Sequence, residues 1–142
     1  MRIADVLRTK GATVATVGRE SSVTELLGQL AERNVGALVV AGENGVEGIV
    51  SERDVVRGLH EHGPALLSRR VADIMTTDVT TCTPEDSVDD LSALMTQRRI
   101  RHVPVLVDGT LAGIVSIGDV VKTRLGELEE SREQLEAYIA QG

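Results

Sequence analysis

Gly48-Ile49-Val50-Ser51-Glu52-Arg53-Asp54-Val55-Val56 returns 65 residues later as Gly113-Ile114-Val115-Ser116-Ile117-Gly118-Asp119-Val120-Val121. In each copy an apolar run ends at a serine, and an aspartate follows three residues on. That is the pattern of a strand running straight into a capped helix, with hydroxyl and carboxylate closing free N–H groups of the first turn. Working outward, residues 14–56 superpose on 79–121 without a gap, and 15 of the 43 positions are identical. Apolar character is kept at others, such as Val35/Ile100 and Leu30/Met95. The chain is two copies of one unit.

Each copy reads as strand, helix, strand, strand, helix. In the first, Val14–Val17 predicts a short strand. Ser22-Val23-Thr24-Glu25 is a capping box that opens an amphipathic helix with Val23, Leu26, Leu27 and Leu30 on one face. Ala37–Ala41 and Val46–Val50 predict strands around Glu43-Asn44-Gly45, and Ser51 caps a helix to about Leu59. The second copy repeats this with Val79–Cys82, Ser87–Gln97, Val103–Val107, an Asp108-Gly109 turn, Leu111–Val115 and a helix from Ser116. Ile3-Ala4-Asp5-Val6-Leu7 echoes Val71-Ala72-Asp73-Ile74-Met75, a short helix before each copy. His60–Arg70, with Gly63-Pro64, predicts a connecting loop with a helical turn. Leu125–Ala140 predicts a charged helix that either packs on the body or pairs with a second chain.

One copy has too little apolar face to stand alone. Two copies packed sheet to sheet bury both faces and leave a cleft on a pseudo-twofold axis, a favoured place for a small ligand. The expected fold is α/β, of the α+β type: two β-α-β-β-α repeats, 1–62 and 63–124, followed by a tail, 125–142.

Composition narrows the function. A chain of 142 residues with net charge −7 lacks the basic excess of a nucleic-acid binder, and without Trp or Phe it has no stacking platforms. The core must be aliphatic. Cys82 is the only cysteine, so there is no disulfide and no thiolate cluster for a metal; filling space is its expected role. No stretch is long and apolar enough for a membrane span, and Met1–Asp5 has no signal-peptide core, so a cytoplasmic protein is expected.

Gly-Ile-Val-Ser-x-x-Asp-Val-Val, twice, resembles the end of the cystathionine β-synthase (CBS) domain. The runs before it resemble that domain too: Asp5-Val6-Leu7 and Asp73-Ile74-Met75, the Ser-Val-x-x-Leu helices, Gly36-Ala37-Leu38-Val39-Val40 and Arg101-His102-Val103-Pro104-Val105. The resemblance spans about residues 3–123 and implies a tandem pair, or Bateman module. Such pairs bind AMP, ADP, ATP, NAD or S-adenosyl-methionine between their domains, regulate rather than catalyse, need no cofactor, and commonly form homodimers.

Carried over residue by residue, the resemblance implies two crossed sites. One has Asp119 on the ribose, Ser116 on phosphate and Ile114 beside the base, completed by Thr13, Ala15, Val35 and Gly36, with His102 or Lys10 meeting phosphate. The other has Asp54 and Ser51 in the same roles, Arg53 at the phosphates, and Asp78, Thr80, Ile100 and Arg101 from the second copy. An aspartate near a helix start can accept both hydroxyls of a ribose diol, and the helix N-terminus suits a phosphate. An isolated Ser-x-x-Asp is a plain helix cap; its recurrence after the same Gly-Ile-Val favours a ligand role. Arg98 and Arg99 fit a solvated helix end as well as a phosphate contact. No Gly-x-Ser-x-Gly elbow surrounds either serine, and the three histidines form no metal set. The alternative to a nucleotide-binding regulator is a dimerisation scaffold whose sites hold no ligand.

Overall fold

The computed structural model describes residues 1–11 and 13–141; Ala12, within the first repeat, and Gly142, at the end of the tail, lie outside them. The order is α1 (Ile3–Lys10), β1 (Thr16–Val17), α2 (Val23–Arg33), β2 (Ala37–Gly42), β3 (Gly45–Ser51), α3 (Glu52–His62), 3-10 turns at Gly63–Ser68 and Val71–Asp73, α4 (Val88–Arg98), β4 (His102–Val107), β5 (Thr110–Ser116) and α5 (Ile117–Gln141). Both hairpins are antiparallel, and both slip register at the same point, after Val40 and after Val105. Ser22, Ser51 and Ser87 cap their helices as the pattern predicts, although at Ser22 only the serine half of the box forms, accepting from the Glu25 N–H at 3.1 Å.

One predicted strand does not form. Residues 79–82 form no named strand. Cys82 makes one bridge, its N–H donating to the Pro104 carbonyl at 3.0 Å and its carbonyl accepting from the Leu106 N–H at 2.9 Å. In the first half the matching rung Val17↔Val40 is joined by Thr16↔Val39. Pro104 stands where Val39 does, and a proline has no N–H for that second rung. α3 runs on to His62, and the expected helical turn of the connection follows at Gly63–Ser68, with the Leu66 side chain fully buried in the first half's core. α5 runs continuously through 124–125, the expected start of the tail.

The leading segments are exchanged. Ile3, Val6 and Leu7 pack with Cys82, Val88, Leu91 and Met95 in the second half's core, while Val71 packs with Val23, Leu26 and Leu30 in the first. The backbone repeats the exchange bond for bond. Ile3 N–H donates to Asp86 O and Val71 N–H to Ser21 O; Ala4 N–H donates to Pro84 O and Ala72 N–H to Arg19 O, all within 2.8–2.9 Å. Each half is therefore finished by the segment that precedes the other.

The crossing explains the glycine of the repeated motif. A Cβ on Gly113 would lie 2.6 Å from Leu7 Cδ2, and one on Gly48 would lie 2.8 Å from the Thr76 carbonyl oxygen. Cys82 is 6% exposed, and burial, with Asp86 nearby, pushes its thiol up to about 12, which fits space-filling. Among the described residues no helix is long and apolar enough to cross a membrane.

The two glycines respond differently to a methyl group. Leu7 can turn aside, whereas the Thr76 carbonyl is fixed by its backbone pairing with Ile49. Gly48→Ala is expected to cost about 1–3 kcal/mol of stability and Gly113→Ala clearly less, measured by urea unfolding. Equal losses would remove the backbone crossing as the cause.

Candidate functional site

The sites grow from two strand-to-helix junctions, β3 into α3 and β5 into α5. At the first, Asp54 Oδ2 accepts from the Ser51 N–H at 2.8 Å and the Ser51 hydroxyl at 3.2 Å, and the Asp54 N–H returns a bond to Ser51 Oγ at 3.4 Å. At the second, Asp119 Oδ2 accepts from the Ser116 N–H at 2.8 Å and its hydroxyl at 3.0 Å, and the Asp119 N–H reaches Ser116 Oγ at 3.2 Å. Serine and aspartate thus form a complete cap, and all these bonds to carboxylate fall on Oδ2. Capping spends one carboxylate oxygen and leaves the other for a second partner.

Beside Asp54 lies a cavity of about 520 Å³ between the halves. Ser51, Arg53 and Asp54 line it from the first half, and Asp78, Thr80, Ile100 and Arg101 from the second, so the whole of one predicted set comes together. Gly36 and His102, assigned from sequence to the other set, line this same cavity. Sequence reasoning missed Arg57, Glu52 and Thr76, and left Arg98 and Arg99 open; all line the cavity. The signal for Arg57 was available, since Arg53, Asp54 and Arg57 share a helix face by spacing. Five guanidinium groups (Arg53, Arg57, Arg98, Arg99, Arg101) therefore meet three carboxylates (Glu52, Asp54, Asp78) in a chain of net charge −7. The field in the cavity runs opposite to that of the chain.

Two of these residues carry local features of their own. Arg98 Nη1 donates to Thr80 Oγ1 at 3.0 Å. Arg99 closes α4 in the left-handed region, φ 55°, where its repeat counterpart Asn34 has φ 53°. Asparagine is at ease there; arginine is not.

Apart from Gly36 and His102, the other predicted set does not line that cavity. Lys10, expected at a phosphate, instead places Nζ 2.6 Å from Asp119 Oδ2 and 2.8 Å from the Ile114 carbonyl oxygen. Thr13 is exposed, Ala15 packs partly buried against the first half's core, and Val35 is 38% exposed. Burial pushes the Asp119 carboxyl up, but the Lys10 hydrogen bond, the Ser116 N–H and the Lys10 charge outweigh it and hold the group below 3.8. His102 is pushed down by burial first and then by Lys10 and Arg101, against Asp119 and Glu52, so it meets the cavity as a neutral imidazole at pH 7.

The family model for the CBS domain matches residues 3–61 and 71–126. CBS domain-containing protein CBSX3, mitochondrial, of Arabidopsis thaliana is 39% identical over 149 residues, covering 99% of this chain and 72% of that protein. Of solved structures, a CBS-domain containing protein of Agrobacterium tumefaciens has a TM-score of 0.84 and 44% identity, covering 87% of this chain and 92% of that one. The CBS domain pair of protein MJ0100, in complex with 5′-methylthioadenosine and S-adenosyl-L-methionine, has a TM-score of 0.77 and 25% identity, covering 87% and 98%.

The depressed Asp119 carboxyl fixes a pH dependence. Its pairing stabilises the native chain above the ordinary aspartate range and fades as pH falls through the lowered native value, since the unfolded chain takes up its proton first. Asp119→Asn is expected to cost about 1–3 kcal/mol at neutral pH, with the difference from wild type shrinking below about pH 4. Urea unfolding across that range tests it, and a gap independent of pH would rule out the ion pair.

Proposed function

The chain belongs to the CBS-domain family, as a tandem pair of repeats, and from that premise we propose a regulatory module that binds an adenine nucleotide in the cleft beside Asp54. The observation that carries this reading is the cavity itself. At about 520 Å³ it falls in the range of small-molecule sites. One wall presents a carboxylate at a helix start, suited to a ribose diol. Ile49, Ala37, Val79 and Ile100 supply an aliphatic slot for the base. The guanidinium groups supply the phosphate end. The methylthioadenosine and S-adenosyl-methionine held by the MJ0100 pair support the adenosine part of this reading; five arginines favour ADP and ATP over either compound here. The role is binding and response, with no cofactor required.

We also propose that two copies pair. Val121, Leu125, Leu128, Leu135 and Ile139 follow a 4-3-7-4 spacing along α5 and are 50–67% exposed, with Arg132 at the missing heptad position. A stripe of that period is the seam of a two-stranded coil, and a second copy of the same helix matches it. The scaffold reading draws on the same stripe, and the nucleotide titration below separates the two.

Calorimetry with ADP, ATP, AMP and S-adenosyl-methionine tests the nucleotide. A charge-assisted hydrogen bond is worth about 1.5–3 kcal/mol, so Asp54→Ala is expected to weaken binding by roughly ten- to a hundredfold. Unchanged affinity would sink the site. Arg99→Asn is expected to raise stability by about 0.5–1 kcal/mol by relieving the left-handed arginine, while weakening ADP more than adenosine. For the pairing, Leu128→Glu combined with Leu135→Glu is expected to leave a folded monomer by light scattering.

A further inference from the structure

Resting on the nucleotide reading of the Asp54 cleft, we infer that Lys10 is a specificity-determining residue that closes the opposite, Asp119 cleft, so that each chain takes one nucleotide and not two. The repeat makes the two junctions equal in sequence, Ser51 with Ser116 and Asp54 with Asp119. Between serine and aspartate Glu52-Arg53 gives way to Ile117-Gly118, and the leading segment laid beside each junction differs as well. Ile3–Leu7 and Val71–Met75 echo one another 68 residues apart, and the same step carries Lys10 onto Asp78. Asp78 lines the open cavity. Lys10 lies on the other cleft's carboxylate.

The lysine is held there by a backbone need. The motif isoleucine lies on an edge strand, and its carbonyl must find a donor. For Ile49 the donor is the Thr76 backbone N–H at 2.8 Å, because the chain leaves its short 3-10 turn and runs beside β3. On the other side α1 continues as a regular helix to Lys10, and the Lys10 ammonium makes the bond to Ile114 at 2.8 Å instead. A backbone N–H satisfies a carbonyl and goes no further. An ammonium has three donors, and a second one reaches Asp119 at 2.6 Å.

The consequence for a ligand follows from counting donors. Asp54 Oδ2 holds two, both from Ser51. Asp119 Oδ2 holds three: the Ser116 N–H, the Ser116 hydroxyl and Lys10. A ribose diol that reaches for both oxygens of Asp119 finds Oδ1 open, as at Asp54, but on Oδ2 it must displace a cation gripped by two acceptors and leave the Ile114 carbonyl without that donor. At Asp54 it meets no such occupant among the described residues.

Calorimetry of the full chain with ADP as the probe tests this. Wild type is expected to bind one ADP per chain, Asp54→Ala to lose at least tenfold in affinity with no second site taking over, and Lys10→Met to bind two. Lys10→Gln keeps a donor for Ile114 without the charge, and serves the same purpose if the methionine variant unfolds. Two sites in wild type, one site of undiminished affinity in Asp54→Ala, or a folded Lys10 variant that still binds one ADP would each overturn the inference. No ADP binding by any form would sink the nucleotide reading and this inference with it.

Discussion

The structure depends on a crossing in which each half's leading segment passes over the other half's edge strand, at Gly48 against backbone and at Gly113 against a side chain. Leu7 lies over Gly113 and Met75-Thr76 over Gly48, and at Gly48 the Thr76 carbonyl leaves no room for a Cβ. Because of that crossing, Ile3, Val6 and Leu7 fill the second half's core and Val71 fills the first. Neither repeat owns a complete core, so neither can be released from the other without exposing buried aliphatic surface, at roughly 25 cal/mol per Å². The two strand-to-helix junctions are fixed opposite one another as a result, and a cleft between them is unavoidable.

Near-identity of the two halves makes their few differences informative. Pro104 in place of Val39 removes one rung beside β4 and leaves residues 79–80 free of a ladder, where they line the cavity. Arginine in place of asparagine at the end of α4 accepts a left-handed backbone and puts Arg99 at the cavity. An extra helical stretch at the end of α1 delivers Lys10 to one junction, while the shorter turn after Val71 delivers Thr76 and Asp78 to the other. Each change costs the second half, or the Asp119 cleft, something in regularity. Pro104, Arg99 and the shorter turn after Val71 each add charge or space to the Asp54 cleft. Of these changes the left-handed Arg99 is the one that strains the backbone, and it lines the cavity.

Much of this was legible in the residues. The gapless repeat identified the fold class, and Ser-x-x-Asp located both junctions and their caps. The exchange of leading segments was not legible, because the echo of Ile3–Leu7 in Val71–Met75 says that two segments are alike and nothing about which core each enters. The missing strand at 79–82 was half legible: Pro104 was in view, but its weight depends on a register that only the fold supplies. Arg98 and Arg99 read equally as a solvated helix end, since a helix terminus looks the same from sequence whether water or a cavity lies beyond it. Lys10 is the sharpest case. Its residue type suited phosphate, and only the length of α1 turns it onto a carboxylate.

The shared cores also set how such a module would signal. Asp54 and Arg53 belong to the first half; Asp78, Thr80, Ile100 and Arg101 belong to the second. A ligand that touches both sets stabilises the relation between halves more than either half alone, and at a hundredfold excess over its Kd it adds about 2.7 kcal/mol to the state that binds it. That is a large fraction of the margin by which a small domain stays folded. With each half finished by the other's leading segment, the effect cannot stay in one repeat. It reaches α1 and α5 through the same buried contacts, since Ile3, Val6 and Leu7 share a core with Val120 on α5. Val120 places the start of α5 in that core, so the helix that carries the exposed stripe begins in the packing of the second half, which also lines the cleft.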